Sequence, residues 1–125
     1  MSESKNLLVS NQDGVTVVSF VHSKLLDETN IHELGANLLK LIDIDPNIKM
    51  VINFDSVEYL SSAVLGKLMA IHKKVSVGKG KVVLCGIVPN VLEVFKITKL
   101  DKLFNIESDI KNSLKSVKKV KKSWF

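Results

Sequence analysis

Few residues of this 125-residue chain have the type and spacing to do chemistry, and the most suggestive are two adjacent serines. Ser61 and Ser62 stand directly before AVLGKLMAIH, a run with helical apolar spacing. A serine at a helix start has two roles open to it. Its hydroxyl can accept from an orphan backbone amide, which stabilises the helix by about 1 kcal/mol, or it can serve as an exposed acceptor of a transferred group. A nucleophilic hydrolase serine is disfavoured, because the Gly-x-Ser-x-Gly turn is missing. His22, His32 and His72 fall in three different elements with no cysteine or carboxylate at ligand spacing, so no metal site is expected. The sequence VGKGK at 77–81 follows a helical pattern and precedes a strand, the reverse of a phosphate cradle, and no nucleotide or other cofactor is expected. Cys85, the single cysteine, lies in the apolar run VVLC and reads as a small core residue. The chemistry on offer is that of a binding module, not of an enzyme.

Charge narrows the partners. The formal net charge is +5, with six lysines and no acid in residues 111–125, so the remaining 110 residues carry 12 lysines against 13 acids. The chain has no arginine. Bidentate recognition of phosphate and guanine is arginine chemistry, so a dedicated nucleic-acid reader is not expected. The start, MSESKNLLVSN, lacks the basic and long apolar regions of a secretory signal, and no apolar run is long enough to span a bilayer. A cytoplasmic, single-domain protein is the expectation at this length and composition.

The elements that must position the serines follow from periodicity. Leu7–Ser10 and Gly14–Val21 are β-rich runs around Asp13-Gly14, which predicts a hairpin. Asp27 or Thr29 can cap a first helix carrying Ile31, Leu34, Leu38, Leu41 and Ile42, stopping near Asp45-Pro46. Met50–Phe54 predicts a central strand. A second helix starts at Ser61 or Ser62 and buries Val64, Leu65, Leu68, Ile71, His72 and Val75, ending near Gly78. Its opposite stripe, Ser62, Ala63, Gly66, Lys67 and Ala70, is mostly of small residues, over which another backbone could pass closely. Gly66, unfavourable in a helix by about 1 kcal/mol against alanine, is explained either by such an approach or by packing near its own sheet. Lys81–Gly86 predicts a strand, and Pro89 opens a third helix with Val91, Leu92, Phe95 and Ile97, broken near Thr98-Lys99. Asn105–Glu107 reads as a short link. Ile110, Leu114 and Val117 then keep helical spacing into the lysine-rich end. Strands alternating with helices predict a mixed α/β sheet of four to five strands, a hairpin followed by parallel strands, with about four packed helices.

The segment FDSVEYLSSAVLG (54–66) resembles the central motif of the STAS domain, the family of anti-sigma factor antagonists, in which a strand leads through an aromatic-apolar pair to Asp-Ser-Ser-Gly-Leu-Gly at a helix start. CGIVP (85–89) and ITKLDKLF (97–104) are similar to the family's Gly-x-x-Pro turn and Thr-Gly-Leu-Asp-x-Leu-Phe segment, and Leu26-Asp27 fits as well. The resemblance spans about residues 7–108 and implies the STAS fold over 1–110, followed by a lysine-rich helix or tail over 111–125. It also implies partner switching: the unphosphorylated antagonist binds an anti-sigma serine kinase, phosphorylation of the motif serine releases it, and a PP2C-type phosphatase resets it. Aligned through Leu65-Gly66, the acceptor falls on Ser62, with Ser61 as backup, and the partner surface on Ser61, Ser62, Ala63, Gly66, Lys67 and Ala70. The chain departs from the motif at Ser61, Ala63 and Val64. A STAS adaptor that is not phosphorylated, or a small-ligand sensor in a larger assembly, is the alternative. The end KKVKKSWF (118–125) resembles a polybasic segment that would make weak contact with an anionic membrane, against the simpler expectation of a solvated terminus.

Overall fold

A computed structural model describes residues 6–118. β1 (Leu7–Gln12) and β2 (Val15–Phe20) pair antiparallel from Leu7–Phe20 to Gln12–Val15. Their turn places Asp13 and Gly14 at φ 55° and 83°, the left-handed pair that a two-residue hairpin requires. β3 (Lys24–Leu25) leads to α1 (Glu28–Ile44), whose cap is Asp27, accepting from the Asn30 N–H at 3.1 Å. The helix stops two residues before Pro46, as the restriction on residues preceding proline requires.

β4 (Lys49–Asn53), β5 (Tyr59–Leu60), α2 (Ser62–Val77) and β6 (Lys81–Cys85) follow. Beyond them lie α3 (Pro89–Ile97), α4 (Leu100–Leu103), β7 (Asn105–Glu107) and α5 (Ile110–Lys118). The break between α3 and α4 falls at Thr98-Lys99, with Lys99 left-handed at φ 64° and the Thr98 hydroxyl donating back to the Val94 carbonyl at 2.8 Å. The main sheet has the order β1-β2-β4-β6-β7, and β2, β4, β6 and β7 run parallel. The sheet is therefore mixed, as expected from the alternation of strands and helices. Asn105–Glu107 is a strand instead of a link: it pairs with Val83–Cys85 and forms the far edge. β3 and β5 form a separate two-stranded parallel sheet, Lys24 opposite Tyr59 and Leu25 opposite Leu60.

Both sheet faces are covered, which explains why the central strands read as unbroken apolar runs. Phe20, Met50, Ile52, Phe54 and Leu84 pack with α1, α2 and α3 in the large core, where the Phe54 ring lies 5.0 Å from Phe20 and 6.0 Å, edge-on, from Phe95. On the other face Val15, Val17, Val51, Val83 and Cys85 pack under Ile110, Leu114 and Val117 of α5. Among the described residues no helix is long and apolar enough to cross a membrane.

Candidate functional site

The chain between β4 and α2 is pinned from several sides. Phe54 and Val57 are fully buried, and the Phe54 N–H donates to the Cys85 carbonyl at 2.8 Å. Ser56 Oγ donates to the Phe20 carbonyl at 3.1 Å. The Glu58 N–H donates to the Ser23 carbonyl at 2.7 Å, and the Glu58 carbonyl accepts from Asn90 Nδ2 of α3 at 3.0 Å. The Ser61 N–H donates to the Leu25 carbonyl at 3.0 Å. The small β3–β5 sheet thus fixes the entry to α2, so the serines sit on a frame instead of a free loop.

The two serines differ in environment. Ser61 occupies the cap position with extended backbone (φ −94°, ψ 168°), yet its hydroxyl caps nothing: Oγ is buried without a hydrogen-bond partner. Ser62 is the first residue of α2 and is exposed. The first amides of a helix have no intrahelical acceptor, and here no side-chain cap supplies one. Their partial positive charge and that of the helix dipole surround the Ser62 position.

Ala63, Gly66 and Ala70 are exposed, and Lys67 is half-buried. A Cβ built on Gly66 would meet nothing within 4 Å, so the glycine does not pack near its own sheet and the face around it is open. Lys67 departs from a simple exposed stripe. Its stem lies across Gly35 of α1, where a Cβ would come within 2.7 Å of Lys67 Cδ. Ala63 and Lys67 line an open groove of about 520 Å³ with Glu28, Thr29, Ile31, His32 and Glu33 of α1. Sequence reasoning placed no α1 residue in the site; the signal was Gly35, a glycine inside a helix, where only a close neighbour would favour it. His72, expected on the buried side, is half-buried with its ring edge-on to Phe104 at 5.1 Å.

On the α5 side, Asn53 closes the end of β4. Its Oδ1 accepts from the Asp55 N–H at 3.1 Å and lies 3.7 Å from Cys85 Sγ. Gly86, at φ 69°, passes so close that a Cβ would be 2.7 Å from that oxygen. Burial, with the nearby carboxylates of Asp55, Asp109 and Glu107, pushes the Cys85 thiol pKa up, while the Ser113 hydroxyl opposes the shift. Cys85 is thus a core thiol, not a reactive one. Among the described residues no group of three or more histidines, cysteines and carboxylates is placed to hold a metal ion.

Comparison with known proteins gives this arrangement a lineage. The family model described as STAS domain matches residues 6–115. A STAS-domain anti-sigma-factor antagonist from Planctomyces limnophilus superposes with a TM-score of 0.81 at 24% identity, over 92% of this chain and 99% of that one. An anti-sigma factor antagonist from Mycobacterium paratuberculosis gives a TM-score of 0.78 at 25% identity, over 90% and 93%. The antagonist SpoIIAA in its unphosphorylated form gives 0.75 at 14% identity, over 92% and 98%. The Bacillus cell-fate determinant SpoIIAA in its phosphorylated form gives 0.66 at 13% identity, over 90% and 99%.

Proposed function

The chain belongs to the STAS-domain family, and on that footing we propose that it is an anti-sigma factor antagonist switched by phosphorylation of Ser62. The carrying observation is the exposure of the Ser62 hydroxyl at the uncapped start of α2, beside an open small-residue face. That one neighbour is described in both phosphorylated and unphosphorylated forms supports the reading. The partner is an anti-sigma serine kinase, seated over Ser61, Ser62, Ala63, Gly66, Lys67 and Ala70. The kinase moves the γ-phosphoryl group of ATP to Ser62 Oγ: the bond to ADP breaks, the Oγ–P bond forms, and the hydroxyl proton passes to a base of the kinase. A PP2C-type phosphatase hydrolyses the ester with water. The setting is transcriptional signalling in the cytoplasm, and the chain itself supplies no catalytic group.

Elementary electrostatics explains why such a switch would act on the complex and not on the fold. A phosphoserine adds about −1.5 to −2 charges. At a helix N-terminus the dipole and free amides stabilise it by a few tenths to about 2 kcal/mol. In a complex the same dianion is buried without a partner, at a cost on the order of 2–5 kcal/mol. Incubation with the cognate kinase and ATP, followed by intact-mass and peptide mapping, tests the proposal. One phosphate on Ser62 is expected; an unmodified chain, or a phosphate elsewhere, overturns it. The groove beside Lys67 favours the alternative, a small-ligand sensor without phosphorylation, and an unmodified chain with a ligand-dependent melting temperature is its signature.

A further inference from the structure

At the carboxyl ends of the parallel strands the connections part. The chain leaving β4 leads to α2 and that leaving β6 to α3, and both helices pack on one face of the sheet. The chain leaving β7 leads to α5, which covers the other face. Where connections diverge in this way an open α/β sheet leaves a crevice beyond its strand ends, the usual ligand site of such sheets. Here it is a pocket of about 360 Å³ lined by Asn53 at the end of β4, Asp55, Gly86 after β6, and Ser108, Asp109 and Lys111 around the start of α5.

The informative group in it is the Asn53 amide. The residue is only 7% exposed, and a buried amide with unused donors is unfavourable. Its Oδ1 accepts from the Asp55 N–H at 3.1 Å and faces the Cys85 thiol. These two donors fix which way round the amide sits, since the reverse orientation would set N–H against N–H. Nδ2 is left with two hydrogens and, among the described residues, no acceptor. Unlike the sealed Ser61 hydroxyl, this nitrogen keeps access to solvent. Strands β2 and β6 close Asn53 in from both sides, so the access is through the pocket.

Groups of both signs stand around it. Asp55 and Asp109 supply carboxylates, and Lys111 supplies one ammonium. Among the described residues neither the Asp55 carboxylate nor the Lys111 ammonium is in an ion pair. Asp109 Oδ1 accepts from the Asn112 N–H at 2.8 Å, which leaves its second oxygen open. The Ser108 hydroxyl accepts from Asn112 Nδ2 at 3.0 Å and keeps its own hydrogen to donate.

We propose that this pocket binds a small zwitterion of the α-amino-acid class. The ligand's ammonium group meets the carboxylates of Asp55 and Asp109, and its carboxylate takes the hydrogens of Asn53 Nδ2, the Ser108 hydroxyl and Lys111. Two carboxylates repel a bare anion such as phosphate, and Asp109 already fills the cap of α5. The idle amide hydrogens and the lysine call for an oxygen acceptor, which a simple amine lacks. A neutral sugar would cover charges of both signs without matching either. α2, which carries Ser62, packs on the opposite face of the sheet, so this site is independent of the phosphorylation proposal. It also lies at the far end of α5 from the polybasic segment, whose residues 119–125 lie outside the described residues.

Isothermal titration calorimetry of the full chain with each common protein amino acid tests the proposal, with glucose, inorganic phosphate and ethylamine as controls. At least one amino acid is expected to bind with a Kd below about 1 mM, and no control is expected to bind. Asp55→Asn and Lys111→Gln should each weaken that binding by roughly 10- to 100-fold, the loss of one hydrogen bond to a charged group. Both residues are exposed, so these variants keep the fold that an Asn53 substitution would put at risk. Absence of binding by every amino acid, unchanged affinity in either variant, or binding of a control in place of an amino acid overturns it.

Discussion

Lys67 of α2 lies over Gly35 of α1, and the absence of a side chain at position 35 is what lets the lysine stem pass between the helices. The contact fixes one wall of the groove beside Ala63. It predicts a coupled pair: Gly35→Ala forces Lys67 aside and loses most of the helix-propensity gain of about 1 kcal/mol. In a Lys67→Ala background the same substitution should realise that gain. Urea unfolding of the four proteins in a double-mutant cycle measures the coupling, and additive effects would contradict the packing described.

Gly86 is held by two constraints at once, a left-handed backbone and the approach of Asn53 Oδ1. Gly86→Ala adds backbone strain and displaces the acceptor of the Asp55 N–H. A loss of roughly 2–4 kcal/mol is expected in urea unfolding. Substitution of Gly66 by alanine, where a Cβ meets nothing, should instead stabilise by up to about 1 kcal/mol.

Ser61 makes the opposite prediction to that of a capping serine. Its hydroxyl is buried and unpartnered, so Ser61→Ala should leave the melting temperature unchanged or raise it slightly. A cap would lose about 1 kcal/mol on the same change, and a drop of that size would show that the hydroxyl bonds in solution.

Ser62→Asp should weaken binding to a cognate kinase by roughly 30-fold to several thousand-fold, as expected from an unpaired charge in the interface. Ser62→Ala should bind like wild type, and neither variant should move the melting temperature by more than a degree or two, because the residue is exposed. Equal capture of wild type and Ser62→Asp in a pull-down would reject the switch.

The Cys85 thiol carries a pH signature. Its pKa is raised by burial, so at alkaline pH the unfolded chain ionises first and binds fewer protons than the folded one. The stability contribution is complete below the ordinary thiol range of about 8.5 and falls as pH rises through it. Urea midpoints should therefore decline more steeply from pH 8 to about 9.5 in the wild type than in Cys85→Ala. A thiol reagent should label the native protein slowly.

Most of the scaffold was legible because it rests on local chemistry. Asp13-Gly14 dictated the hairpin turn, Asp27 or Thr29 the start of α1, with Asp27 the cap in the structure, Pro46 its stop, and Thr98-Lys99 the break between α3 and α4. The alternation of these elements implied parallel pairing, and the motif at 54–66 pointed to the family that the chain belongs to. What was missed involves residues with no periodic signal of their own. Asn105–Glu107 becomes a strand only because Val83–Cys85 offers it an edge, and β3 and β5 are two residues each.

The sequence by itself determined the hairpin, the central strands β4 and β6, the main helices and their order, the family and the identity of the serines at the start of α2, because propensity, capping and turn chemistry act over a few neighbouring residues. Only the tertiary structure decided that Ser61 is buried without a partner while Ser62 faces outward, that α1 supplies the second wall of the groove, and that Asn53, Asp55, Ser108 and Lys111 meet at one end of the sheet. Each of these depends on contacts between residues far apart in the chain, which sequence spacing does not encode. They arise when the two faces of the sheet are covered and the register of β4 against β6 is set.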